Sequence, residues 1–299
     1  MEKLIEPLPW KGPCPCLPPE PLRTWESLGV AADVLRLDRI HPDWGGNKWF
    51  KLRHHLTEAK RLGASTLVSF GGIYSNHLWA LASAGKAWGW QTKAFLTGHP
   101  PSTNPLMEKG MSCVFVSRGE FEDHSKIQSK WEQAGEYWIP MGGSGLLGIK
   151  GAATILNEVD LRPYSHIICA TGTGTMAIGL ATQILTHQVV WGLPVLKNWA
   201  LAEEQKFRFL PVERQKNLVW KNRDNMGRYG KAQPALLDFM NQWQAQTSIE
   251  TDFIYTGKLF WAVDQMIKEE ELEKGSKILV VHSGGLAGNR SLPQGSLRF

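Results

Sequence analysis

Gly45-Gly46-Asn47-Lys48-Trp49-Phe50-Lys51-Leu52-Arg53 is the stretch on which the reading of this chain turns. A Gly-Gly turn runs straight into residues of helical spacing. Phe50, Leu52, His55, Leu56, Ala59 and Leu62 carry the period from Lys48 to Gly63, and glycine suits the stop there. Lys48 therefore opens a helix, and Lys51 follows roughly one turn on. A helix N-terminus and a second cation both favour the neutral amine. A neutral lysine amine is a nucleophile for a carbonyl carbon. Without its neighbours, Lys48 reads as one surface lysine among many.

Outward from this segment the chain alternates strand and helix. Val34–Leu37 is a short strand before the turn Asp43–Asn47. Beyond the helix, Thr66–Phe70, Gln91–Leu96, Ser112–Val116 and Tyr137–Ile139 read as strands, with helices over Ser75–Gly85 and Asp123–Ala134. Gly148–Leu161 is helical, His166–Ala170 a strand, and Met176–Thr186 a helix. Ala235–Gln246 and Phe260–Glu273 are amphipathic helices, and Lys277–His282 a last strand closed by Ser283-Gly284-Gly285. The Lys/Arg/Gln-rich region 203–233 has weak periodicity, so Phe207–Val212 is only an ambiguous strand. Strand–helix alternation predicts an α/β fold with parallel sheets, whose sites lie at the carboxyl ends of strands. The division expected is 1–55 and 156–299 as one large domain, with 56–155 a small α/β domain inserted between.

Composition limits the class of function. A chain of 299 residues is long enough for two domains with a cleft between them. The net charge of +5 is scattered without a block of like charges, which argues against a nucleic-acid partner. No apolar run approaches the roughly 20 residues of a membrane span, and Met1–Pro21, with seven prolines, lacks the apolar core of a secretory signal. A cytoplasmic location is the default expectation. Of the four cysteines, Cys14 and Cys16 form a CxC that no second pair answers, so a metal site is not expected, and the histidines show no ligand spacing.

Two more motifs carry chemistry. Thr171-Gly172-Thr173-Gly174-Thr175 joins an apolar strand to a helix. Glycines let backbone N–H groups converge on phosphate oxygens, and threonine hydroxyls add donors. The loop has Ala177 where a dinucleotide fingerprint needs its third glycine, and no acid at the ribose-binding distance. It suits a single phosphate group, and otherwise reads as a tight strand–helix turn. Phe70-Gly71-Gly72-Ile73-Tyr74-Ser75-Asn76-His77 ends in a triplet that also serves as a helix cap.

Together these segments resemble the pyridoxal-phosphate enzymes grouped as aminocyclopropane-carboxylate deaminase and D-cysteine desulfhydrase. The resemblance runs from about Leu22 to Gly288. It implies a two-domain, three-layer α/β/α architecture of fold type II, that of the tryptophan synthase β-subunit, with pyridoxal 5'-phosphate as cofactor, an amino-acid substrate and a homodimer. By this similarity Lys48 is the cofactor lysine and the leading base for the α-proton, with Ser75 or Tyr255 next. Lys51, Thr171, Gly172, Thr173, Gly174 and Thr175 hold the cofactor, and Asn76 bonds its phenolic oxygen. Ser75, Asn76, His77, Tyr229 and Tyr255 lie beside the substrate, the tyrosines within Arg228-Tyr229-Gly230 and Ile254-Tyr255-Thr256-Gly257-Lys258. Thr256 and Ser283 face the cofactor ring.

Departures from the family pattern bear on the reaction. The deaminases have glutamate where this chain has Thr256 and leucine where it has Ser283. A hydroxyl holds a ring-nitrogen proton less well than a carboxylate, and elimination demands less of the ring than cyclopropane opening. The expectation is β-elimination of the D-cysteine desulfhydrase kind, giving pyruvate, hydrogen sulfide and ammonia. Cyclopropane-carboxylate deamination, another deaminase or racemase, and a non-catalytic binding homologue are the alternatives. Tyr74 and Trp79, where glutamine and arginine are common in the family, add aromatic bulk near the substrate loop.

Overall fold

The computed structural model describes residues 18–41, 43, 45–195, 200–223 and 230–299. Among the described residues ten strands form two sheets. The larger contains β1 (Glu20–Leu22), β2 (Ala31–Arg36), β7 (His166–Thr171), β8 (Val189–Pro194), β9 (Leu218–Trp220) and β10 (Lys277–His282), in the order β1-β2-β10-β7-β8-β9. All its pairs are parallel except β1 with β2. The smaller contains β3 (Thr66–Gly71), β4 (Gln91–Thr97), β5 (Ser112–Val116) and β6 (Glu136–Trp138), all parallel, in the order β5-β4-β3-β6. Parallel pairing needs crossovers, and helices supply them.

The helices are α1 (Asn47–Arg61), α2 (Asn76–Trp88), α3 (Pro105–Glu108), α4 (Arg118–Phe121), α5 (His124–Trp131), α6 (Leu146–Ala153), α7 (Thr175–Ala181), α8 (Ala200–Phe209), α9 (Val212–Gln215), α10 (Pro234–Thr247) and α11 (Thr256–Lys268). Central strands such as β7 and β10 are apolar along most of their length because both faces are covered. One apolar cluster runs from Leu35, Ile167 and Leu279 of the larger sheet, through Leu52 and Leu56 of α1, to Leu67 and Leu96 of the smaller. Helix α1 thus packs between the sheets, and its first turn faces the site.

Gly46 fixes that entry. It has φ +80°, and a Cβ there would lie 2.2 Å from the Ser283 carbonyl oxygen. Only glycine lets the backbone approach this closely in the left-handed region. Asn47 N–H donates to the same oxygen at 2.9 Å, so the start of α1 is tied to the turn after β10.

Several sequence expectations shift. The helix expected over Asp123–Ala134 is α5, His124–Trp131, capped by Asp123, and a separate short helix, α4, capped by Ser117, precedes it. The helix expected over Gly148–Leu161 runs from Leu146 to Ala153 and tightens to a 3₁₀ turn at Thr154–Leu156. Phe207–Val212 is no strand: it spans the end of α8 and the start of α9. Strands β8 and β9 went unread, because their meaning comes from pairing with β7 and with each other.

Candidate active site

The carboxyl ends of β7 and β10 and the first turn of α1 converge on one small cavity. Asn47, Lys48, Lys51, Thr173, Tyr255 and Ser283 border it, with the backbone of the 170–174 loop. Lys48 is half-buried, open to the cavity, with its ammonium enclosed by protein. Its Nζ donates to Asn47 Oδ1 at 2.8 Å and lies 5.5 Å from the centre of the Tyr255 ring. Burial pulls the Lys48 pKa down to about 8 against a weaker pull upward from the Asp252 charge. Lys51 is buried, and burial plus the nearby Lys48 charge hold it well below the ordinary lysine range. No Asp or Glu borders the cavity among the described residues.

The loop opposite is shaped by Gly174, with φ +83° and a Cβ position 3.0 Å from the Ala202 backbone. Thr173 Oγ1 and Thr175 Oγ1 are hydrogen-bonded at 2.9 Å. The Thr171 hydroxyl is turned away: a Cβ added to Gly192 on β8 would be 2.9 Å from it. The Tyr255 ring closes on the loop, with Cε1 3.4 Å from where a Cβ on Gly172 would stand.

Asp252 is the member that sequence reasoning missed. It is fully buried, and burial pushes its carboxyl up while donated hydrogen bonds oppose that. Oδ2 accepts from Ile254 N and Tyr255 N, both at 3.1 Å, and Oδ1 from Thr256 N and Thr256 Oγ1, both at 2.8 Å. The carboxylate so caps α11 and fixes the backbone of Tyr255. Its charge also raises the pKa of Lys258, which burial lowers. An acid three residues before a Tyr-x-Gly-Lys segment is a cap signal that was available but unread.

Other expected residues stand elsewhere. The Thr256 hydroxyl gives its proton to Asp252 and accepts from Asp252 N–H, so it does not face the cavity; Ser283 is the hydroxyl residue there. His77 is buried beneath the loop, with Nε2 2.8 Å from Ser69 Oγ, whose proton goes to the Ile139 carbonyl. That leaves Nε2 as the donor and Nδ1 without a partner, and burial holds the ring neutral. Ser75 caps α2 by accepting from Leu78 N at 3.4 Å. Asn76 spends its amide on the terminal turn, donating to Gly285 O at 2.9 Å and accepting from Ala287 N at 3.2 Å. Tyr229 lies outside the described residues.

These residues fit a phosphorylated aldehyde. Two lysines, Lys51 buried and Lys48 half-buried, share a cavity with no carboxylate among the described residues, a setting in which a bound anion would favour their charged forms, and the Lys48 amine has a pKa of about 8. The cavity measures about 50 Å³, room for a phosphate-sized group.

The two sheets, their order and the site at their carboxyl ends define a fold: the type II fold of pyridoxal-phosphate enzymes, of which the tryptophan synthase β-subunit is the model. A solved 1-aminocyclopropane-1-carboxylate (ACC) deaminase homologue superimposes with a TM-score of 0.77 at 22% identity, covering 95% of this chain and 92% of its own. In sequence the chain is related to the ACC deaminase and D-cysteine desulfhydrase group. A Pyrococcus abyssi protein named "Putative 1-aminocyclopropane-1-carboxylate deaminase" is 28% identical, over 94% of this chain and 91% of its own. The mitochondrial bifunctional D-cysteine desulfhydrase/1-aminocyclopropane-1-carboxylate deaminase of Arabidopsis thaliana is 25% identical, over 90% and 77%. No family model matches the chain.

Proposed function

We propose that this chain is a pyridoxal-phosphate-dependent lyase that carries out β-elimination on a small amino acid of the D-cysteine type, releasing a 2-keto acid and ammonia. The observation that carries the reading is the pair of lysines on one cavity, Lys48 half-buried and Lys51 buried, with no carboxylate bordering it among the described residues. The names of the relatives support the same reaction class. Bound pyridoxal phosphate supplies an aldehyde for an amine and a ring that stabilises negative charge at the α-carbon.

The chain supplies the rest. Lys48, with a pKa of about 8, holds a useful neutral fraction near pH 7–8, so its Nζ both attacks an aldehyde and takes a proton. Lys51 and the Thr173 hydroxyl would hold the phosphate, with the Thr175 hydroxyl bonded to Thr173 from behind. The Tyr255 phenol, on a backbone pinned by Asp252 and with its ring near Lys48 Nζ, would pass a second proton. Ser283 would meet the ring nitrogen with a hydroxyl. Ser283 rather than a carboxylate bordering the cavity, among the described residues, favours elimination over cyclopropane opening. ACC deamination is the second reading, favoured by the relatives' names. Assays of 2-keto acid from D-cysteine, D-serine and aminocyclopropane-carboxylate separate them. Pyruvate and sulfide from D-cysteine, lost in Lys48→Ala, are expected; turnover of the cyclopropane alone would reverse the assignment.

A further inference from the structure

A second cavity is larger than the one at Lys48. It measures about 390 Å³ and lies on the far side of a backbone wall. Asn47, Lys48 and Ser283 border the inner cavity, whereas Gly45 and Gly285 border the outer one. Between them, a Cβ on Gly284 would stand 2.7 Å from Gly46 Cα, and Asn47 N–H is bonded to Ser283 O. The Asn76 side chain, tied to Gly285, closes the same wall.

Most charged groups around this outer cavity are already committed. Arg36 holds Asp38 in a two-pronged contact at 2.9 and 2.6 Å, and Asp43 is paired with Lys109 at 2.7 Å. Arg290 and Glu250 form no salt bridge among the described residues, although the Arg290 charge acts on Asp43 and the Glu250 charge on Arg36 at longer range, and both are exposed. Arg290 is held in place all the same. Its guanidinium lies 4.1 Å from the centre of the Trp79 ring, and Lys109 Nζ lies 4.0 Å from the same centre. Both cations are within range of attraction by the negative face of an indole. Stacking leaves the in-plane N–H donors of a guanidinium free, the arrangement that receives a carboxylate edge-on.

We propose that this outer cavity is a second binding site, distinct from the Lys48 cavity, that takes a free amino acid as its zwitterion, with Arg290 on the carboxylate and Glu250 on the ammonium. Trp79 acts here as the platform that aims Arg290. The paired groups, Arg36–Asp38 and Asp43–Lys109, contribute polarity without net charge, so a bare anion or a bare cation gains only half of what the zwitterion gains.

The test is titration calorimetry on the Lys48→Ala protein, which cannot form a covalent link at residue 48, with alanine of either hand, acetate and ethylamine as probes. Saturable binding of alanine is expected, about tenfold or more tighter than acetate or ethylamine, since each lost charge-assisted contact forfeits that much. Arg290→Ala and Glu250→Gln, both exposed and therefore safe for folding, are each expected to weaken alanine about tenfold or more. Absence of saturable binding to Lys48→Ala, acetate bound as tightly as alanine, or an affinity untouched by Arg290→Ala would each overturn the proposal. The site stands apart from the proposed activity. Binding by Lys48→Ala in a protein that never takes up pyridoxal phosphate would leave this site intact and remove the enzyme reading. Cofactor uptake by the native chain without binding to Lys48→Ala would do the reverse.

Discussion

At the scale of the residue, Lys48 illustrates a site held against stability. Its pKa is drawn from 10.5 to about 8 by burial. A base whose folded pKa is depressed costs stability fully below that value, and the cost disappears as pH rises through the unfolded value. For Lys48 the window runs from about 8 to 10.5, and the cost below it amounts to about 3 kcal/mol at most. Lys48→Met is therefore expected to melt higher than the native chain at pH 7 when both are free of cofactor, with the gap closing by pH 10.5. Thermal unfolding across pH reads this, and a gap of constant size would show the lysine to be relaxed in solvent. Lys48 was legible because its signal is local: two glycines, an asparagine and a helix start within a few residues. Thr256 was misread because sequence does not show which acceptor a hydroxyl meets, and here that acceptor is the Asp252 carboxylate.

At the scale of the element, the start of α11 does more than place Tyr255. Asp252 caps the helix, and its charge is the one group that raises the pKa of Lys48. Asp252→Asn removes that charge and puts an amide donor against backbone donors. The expected result is a destabilisation of about 1–3 kcal/mol together with a shift of the Lys48 titration to lower pH. The pH dependence of pyridoxal-phosphate uptake measures the second effect. Its midpoint should move below the native one, and an unmoved midpoint would make Asp252 a cap and nothing else. The Thr-Gly loop and the Ser-Asn-His triplet were legible as strand–helix junctions. Their orientations were not. Thr171 turns to the neighbouring strand and His77 to Ser69 because β8 and β3 come to lie there, which depends on pairing between distant segments. Strand β9 escaped for the same reason: three residues whose only sheet neighbour is β8 carry no pattern of their own.

At the scale of the whole molecule, the strand–helix alternation gave the α/β class, and the strands of the smaller sheet, β3 to β6, fall in sequence between β2 and β7 of the larger. We propose the division near 56 and 155, with α1 as the shared element, since that helix runs unbroken across residue 56 and its apolar side chains join both sheets. We also propose a homodimer, on the family resemblance. Sedimentation equilibrium should return twice the 33.5 kDa of the chain, and a mass of one chain at micromolar concentration would refute it. The account as a whole rests on a single carbon–nitrogen bond at residue 48. Borohydride reduction of the protein after incubation with pyridoxal phosphate, followed by peptide mass spectrometry, tests it directly. One pyridoxyl phosphate per chain on Lys48 is the predicted result; a label on Lys51, or spread over exposed lysines with Lys48 unmodified, would contradict the account.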